Sequence, residues 1–105
     1  MDTHPLTKEQ VVARLEQARE QIQGLGVRRV ALFGSVMRGQ ARPDSDVDLL
    51  VQFDPEKKTL SNFMALSFLL EELLQRRVKI VTTEALSPFI GPYILREAED
   101  VLLAA

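Results

Sequence analysis

The sequence predicts an α+β (α/β) fold, a small mixed sheet of about three strands with helices packed on it. Three observations carry this reading. Three short runs rich in β-branched and aliphatic residues, Val27–Phe33, Val47–Phe53 and Val78–Thr82, read as strands. Segments with apolar residues at helical spacing lie before, between and after them. The two kinds of segment alternate, which suits helices layered on a sheet.

The elements follow in order. Thr7 and Gln10 have the spacing of a capping box, and Val11, Leu15, Ala18 and Ile22 continue as a helical stripe. A helix over 7–23 follows, stopped by Gly24 and Gly26. The first strand runs to Phe33. Residues 34–45 hold Gly39, Pro43, Asp44 and Ser45, which is turn chemistry, with a short helical turn from about Ser35. The second strand closes at Asp54-Pro55. A helix from Thr59 or Ser61 to about Arg76 turns Phe63, Leu66, Leu70 and Leu73 inward. The third strand follows. A last helix is expected from Pro88 or Pro92 to Leu103, with Ile90, Ile94, Ala98 and Val101 as its stripe and proline in its first turn. One domain over 1–105 is expected, its core at 27–105.

Composition bounds the function. The chain has 105 residues, 46% of them apolar and 27% charged, with a net charge of −2. That balance argues against broad binding of duplex DNA, which needs a basic face. The absence of cysteine excludes disulfides, zinc–thiolate sites and thiol nucleophiles. No run reaches the length of a membrane span, and no apolar signal follows the N-terminus, so a cytoplasmic protein is expected. His4, the one histidine, stands in a terminus expected to fray, which argues against histidine catalysis.

The chemistry concentrates between Gly34 and Asp48. Side chains two apart on a strand share a face, so Asp46 and Asp48 point the same way. Two adjacent carboxylates repel, and a divalent cation makes the pair favourable. Mg²⁺ takes few ligands from protein and the rest from water and phosphate, which suits this spacing. Gly34 at a strand end allows a sharp turn and close approach of a ligand, and a helix starting there would turn free N–H groups toward phosphate. The Ser35 hydroxyl adds a donor. Taken singly, Gly-Ser is usually a turn and Asp-x-Asp a solvated strand start; placed together between two apolar strands they are far more specific.

Gly34-Ser35, ten intervening residues, then Asp46-Val47-Asp48 resembles the signature of the DNA polymerase beta nucleotidyltransferase superfamily. The local text Leu32-Phe33-Gly34-Ser35, Arg38-Gly39 and Ser45-Asp46-Val47-Asp48-Leu49-Leu50-Val51 is similar to the minimal nucleotidyltransferases, or MNT proteins. So are Glu84-Ala85-Leu86-Ser87-Pro88 and Tyr93-Ile94-Leu95-Arg96-Glu97-Ala98. The resemblance covers the chain from about Val27 onward. It implies transfer of a nucleoside monophosphate, AMP from ATP, to a hydroxyl acceptor. It implies Asp46 and Asp48 as catalytic metal ligands for Mg²⁺, and Gly34 and Ser35 as holders of the triphosphate. Arg38 is either a further phosphate contact or a plain surface arginine. The resemblance also implies an antitoxin role beside a HEPN-type partner, whose tyrosine would be the acceptor.

One position departs from the family. Its third carboxylate stands in a Val-Asp-Leu-Val context on the third strand; here the text is Val78-Lys79-Ile80-Val81. At about 4 Å and an effective dielectric of about 20, a lysine–carboxylate attraction is roughly 4 kcal/mol before desolvation. At most one well-held metal is therefore expected, with Asp44, Asp54 and Glu84 as the candidate replacement carboxylates. Two other functions compete with an active transferase: a degenerate nucleotide- or partner-binding module, motivated by Lys79, and a structural domain, including a homodimer. Arg28-Arg29 and Arg76-Arg77 read as solvated strand ends, Tyr93 as a half-buried anchor, and Phe63, Met64 and Phe68 as core.

Overall fold

The computed structural model describes residues 5–86, 88–89 and 91–103, with the Leu103 side chain not among them. His4, Ser87 and Ile90, named above, lie outside the described residues.

Thr7 caps the first helix, α1 (Lys8–Gln17). Its hydroxyl accepts from Gln10 N–H while its own N–H donates to Gln10 Oε1, so the capping box forms as the spacing predicts. The expected single helix 7–23 is instead two, because Ala18 leaves helical geometry (φ −115°, ψ 22°) and α2 (Arg19–Gly24) restarts after it. The break lets Val11, Leu15, Ala18 and Ile22 all reach the core. Gly26, at φ +89°, turns the chain into β1 (Val27–Phe33).

A four-residue helix, α3 (Gly34–Met37), follows β1, and β2 (Val47–Phe53) returns antiparallel to it, with Phe33 opposite Asp48. Between α3 and β2 the loop is pinned where Arg42 N–H donates to Ser45 Oγ and Ser45 N–H to Arg42 O. Helix α4 (Leu60–Leu74) is capped by the Thr59 hydroxyl and ends at Gln75 in the left-handed region (φ 54°). It carries the chain back so that β3 (Val78–Thr82) lies parallel to β2, as a crossover through a helix permits. Its fully buried residues are Leu66, Leu70 and Leu74; Phe63 and Leu73 pack at its flanks. Met64 and Phe68, expected in the core, are exposed with Leu60 on the outer side of α4.

The last expectation needs the largest correction. Helix α5 spans only Gly91–Glu97, and Glu99–Leu103 forms a fourth strand, β4, antiparallel to β1. The sheet order is β3-β2-β1-β4. Without β4, one edge of the central strand β1 would leave its N–H and C=O groups unpaired beside the core. The register shifts between Val30 and Ala31, so Leu102 opposes Val30 while Asp100 opposes Ala31. That bulge lets the consecutive residues Val101 and Leu102 both be buried, which plain alternation forbids. Ion pairs Lys8–Glu99 and Arg29–Asp100 tie β4 in place. A stripe drawn through Ala98 and Val101 matched helical spacing only because the aliphatic run 101–103 fits either period.

Strand alternation sorts the sheet into two faces. Val30, Leu32, Val47, Leu49, Val51 and Phe53 face α1, α2 and α4 in the main core. Ala31, Phe33 and Leu50 face the other way, against Val81, Leu86, Ile94 and Ala98. No helix among the described residues is long and apolar enough to cross a membrane.

Candidate functional site

The site lies on the second, thinly covered face, where β1 ends and β2 begins. Gly34 takes φ +80°, which L side chains rarely adopt. A Cβ there would come within 2.8 Å of Asp48 Cγ and closer still to Oδ2. Glycine is required for both reasons, and the backbone after β1 is thereby brought against the Asp48 carboxylate. The α3 turn closes through Arg38 N–H to Gly34 O (3.1 Å) and Gln40 N–H to Ser35 O (2.9 Å). Ser35, half-buried, is the next residue of that turn.

Asp46 and Asp48 flank the fully buried Val47, and the Asp46 charge acts on Asp48. Val47 N–H donates to Arg77 O (2.9 Å), which fixes the start of β2 against β3. The Arg77 Nε lies 3.2 Å from Asp46 Oδ1. Desolvation raises the Asp48 pKa above its ordinary value. The Lys79 ammonium opposes that shift, Asp46 adds to it, Arg38 opposes it and Glu97 adds to it.

Arg38, half exposed, reaches Glu97 with Nη1 to Oε1 at 2.6 Å. It is exposed, as a surface arginine would be, and its charge also acts on Asp48. Glu97 itself was not foreseen. It closes α5, and its only sequence signal was its place in the tail text that resembles the MNT proteins. Lys79 stands on the same sheet face as Asp48, its Cα opposite that of Asp48 across the parallel pair. Three carboxylates, Asp46, Asp48 and Glu97, are therefore matched by three cations, Arg77, Lys79 and Arg38.

Two of the three candidate replacement carboxylates lie far from Asp48. Asp54 follows the end of β2, about 20 Å along the strand from Asp48, and lies 3.7 Å from Arg28. Glu84 pairs with Lys58 at 2.8 Å beyond the far end of β3. Asp44 sits exposed in the loop, two residues before Asp46. Among the described residues no group of three or more Asp, Glu or His side chains is placed to hold a metal. Two neighbouring carboxylates at a wet strand end nonetheless fit one Mg²⁺ that takes its remaining ligands from water and phosphate.

Tyr93, expected as a half-buried anchor, is 71% exposed, with the Arg96 guanidinium 5.8 Å from its ring centroid. A cavity of about 390 Å³ opens on the other side of Arg38, between α3 and the start of α1, lined in part by Leu6, Thr7, Val36 and Met37. Neither Asp46 nor Asp48 lines it.

Comparison with known proteins adds the following. Residues 12–102 match the family described as nucleotidyltransferase domain. The protein adenylyltransferase MntA of Thermococcus cleftensis is 40% identical over 93 residues, 88% of this chain and 93% of that protein. A Methanocaldococcus jannaschii protein assigned as a protein adenylyltransferase is 40% identical over 77 residues, 73% of this chain and 82% of that one. A solved structure assigned as a minimal nucleotidyltransferase superposes with a TM-score of 0.77 at 42% identity, covering 90% of this chain and 95% of its own. A toxin–antitoxin structure with AMP-PNP shares the fold at a TM-score of 0.66 and 17% identity, over 94% of this chain and 75% of its own.

Proposed function

Because this chain belongs to the nucleotidyltransferase domain family and is similar to its minimal members, we propose that it transfers AMP from Mg²⁺–ATP to a protein hydroxyl. The acceptor in this reading is a tyrosine of a HEPN-type toxin, and the transfer makes the chain an antitoxin. One observation carries the reading: the Gly34 backbone, free of a Cβ, lies against Asp48 beside Asp46. That arrangement sets the backbone turn after β1 beside two carboxylates of the kind that hold Mg²⁺. The names of the similar adenylyltransferases support AMP as the transferred group, and the toxin–antitoxin structures of the same fold support the partner class.

In this reading Asp46 and Asp48 hold the metal ion, which when bound neutralises phosphate charge. Gly34 and Ser35 seat the triphosphate, and Arg38 turns from Glu97 to a phosphate oxygen. The acceptor oxygen bonds to the α-phosphorus as the bond from that phosphorus to the β-phosphate oxygen breaks. Pyrophosphate leaves, and the hydroxyl proton is lost to solvent at the open rim. The exposed Leu60, Met64 and Phe68 of α4 offer apolar surface to a protein partner or a second copy.

The test is transfer of label from α-labelled ATP to a co-purified HEPN-type partner. Labelling that needs Mg²⁺ and disappears in Asp48→Asn is expected; labelling unchanged in Asp48→Asn shows that the site is elsewhere. Lys79 favours a second reading, a binding module that silences its partner by occlusion. That reading predicts no transfer by the parent and metal-dependent transfer by Lys79→Asp. A fully active parent removes it.

A further inference from the structure

Lys79 stands where the resemblance to the polymerase beta superfamily implies a carboxylate. It lies on β3, an edge strand, with its Cα opposite that of Asp48. Parallel strands lie about 4.8 Å apart, so the two side chains stand side by side on one face. The other two cations of the site are engaged, Arg38 with Glu97 and Arg77 with Asp46. Lys79 is exposed and makes no such pair among the described residues, so its ammonium is available to a ligand above Asp48.

Charge decides what that ligand meets. A carboxylate at this position would carry −1 and hold a divalent cation of +2, a local sum of +1. Lysine carries +1 by itself. The substitution therefore leaves the net charge facing a triphosphate unchanged while removing the ligand of a second ion. It also adds a repulsion toward any second ion that approaches. Among the described residues no three carboxylates are placed to hold a metal ion together, so a second ion lacks a third protein ligand.

We propose that the Lys79 ammonium replaces, in charge and position, a carboxylate together with the second divalent cation such a carboxylate would hold, so that this chain takes up its triphosphate with one metal ion rather than two. The inference rests on the nucleotide reading of the site given above. It differs from two-metal phosphoryl transfer, in which a pair of ions clamps both the attacking and leaving oxygens. Here a flexible ammonium makes one of those contacts. It costs no metal affinity, and it donates hydrogen bonds to phosphate oxygen directly.

An edge lysine also deters unwanted strand pairing, and the test separates that role from this one. The full chain is titrated with Mn²⁺ in the presence of α,β-methylene ATP, which cannot transfer its nucleotide, and free Mn²⁺ is counted by electron paramagnetic resonance. One Mn²⁺ per bound nucleotide is expected for the parent and two for Lys79→Asp. Lys79→Gln is expected to keep one Mn²⁺ and bind the nucleotide roughly tenfold more weakly, the loss of one charge-assisted hydrogen bond. Two Mn²⁺ on the parent would overturn the inference and leave the nucleotide site standing. So would unchanged nucleotide affinity in Lys79→Gln with a single Mn²⁺ in Lys79→Asp, the pattern of a lysine that only guards the edge. A parent that binds no nucleotide at any Mn²⁺ concentration would overturn the proposed function and this inference together.

Discussion

Asp48 and Leu49 are adjacent on β2 but belong to opposite faces of the sheet, and the two faces are built differently. Leu49 points into a layer where Val11, Leu15, Ile22, Leu66, Leu70 and Leu74 are all fully buried beneath α1, α2 and α4. Asp48 points to a face where, among the described residues, Ala31, Phe33 and Leu50 pack against only Val81, Leu86, Ile94 and Ala98. The first face supplies most of the apolar burial that holds a domain of this size together. The second is left thin enough to carry six charged groups around one strand end. The lesson is a division of labour: electrostatic strain at Asp48 is tolerable because stability is secured on the opposite side of the same strand.

The largest effect that sharpens this comparison is on activity. Asp48→Asn is expected to reduce AMP transfer about a thousandfold or more, at least about 4 kcal/mol of lost transition-state stabilisation, measured as initial rates with labelled ATP. Next comes the contrast between neighbouring leucines. Leu49→Ala is expected to cost about 3–5 kcal/mol and Leu50→Ala about 2–3 kcal/mol, because the thin face can relax around the gap. Urea unfolding measures both, and equal losses would break the two-face account. Gly34→Ala forces a Cβ into the left-handed region against Asp48 and is expected to cost about 1–3 kcal/mol, read in the same way, together with loss of nucleotide binding.

The smallest effect carries the opposite sign. Desolvation raises the Asp48 pKa in the folded chain, so the folded state holds its proton more tightly than the unfolded one. Metal-free stability therefore falls as pH rises from the ordinary Asp value through the folded one. Asp48→Asn removes that penalty. It is expected to melt slightly above the parent at neutral pH without metal, and the difference should vanish below the ordinary Asp pKa. A variant less stable than the parent at neutral pH would show that Asp48 is a structural anchor instead.

Much of this was legible in the sequence, and the reasons are specific. The Thr7–Gln10 box and the three strands are local signals, set by residues within a few positions of one another. Gly34 and Asp48 were legible as a pair because turn chemistry and strand alternation each point to the same strand end. What was not legible depended on distant partners. Residues 99–103 become a strand because β1 has an open edge, a fact about another part of the chain. Glu97 joins the site because α5 stops there and Arg38 meets it. Tyr93 read as a half-buried anchor, and Met64 and Phe68, at helical spacing, as core; only the packing shows all three exposed.

The most direct test of the central claim is calorimetric titration of the metal-free chain with ATP, with and without Mg²⁺, beside Asp46→Asn. The account predicts Mg²⁺-dependent binding near one nucleotide per chain, lost in Asp46→Asn. Binding that ignores Mg²⁺ or survives in Asp46→Asn would contradict a nucleotide site built on this carboxylate pair.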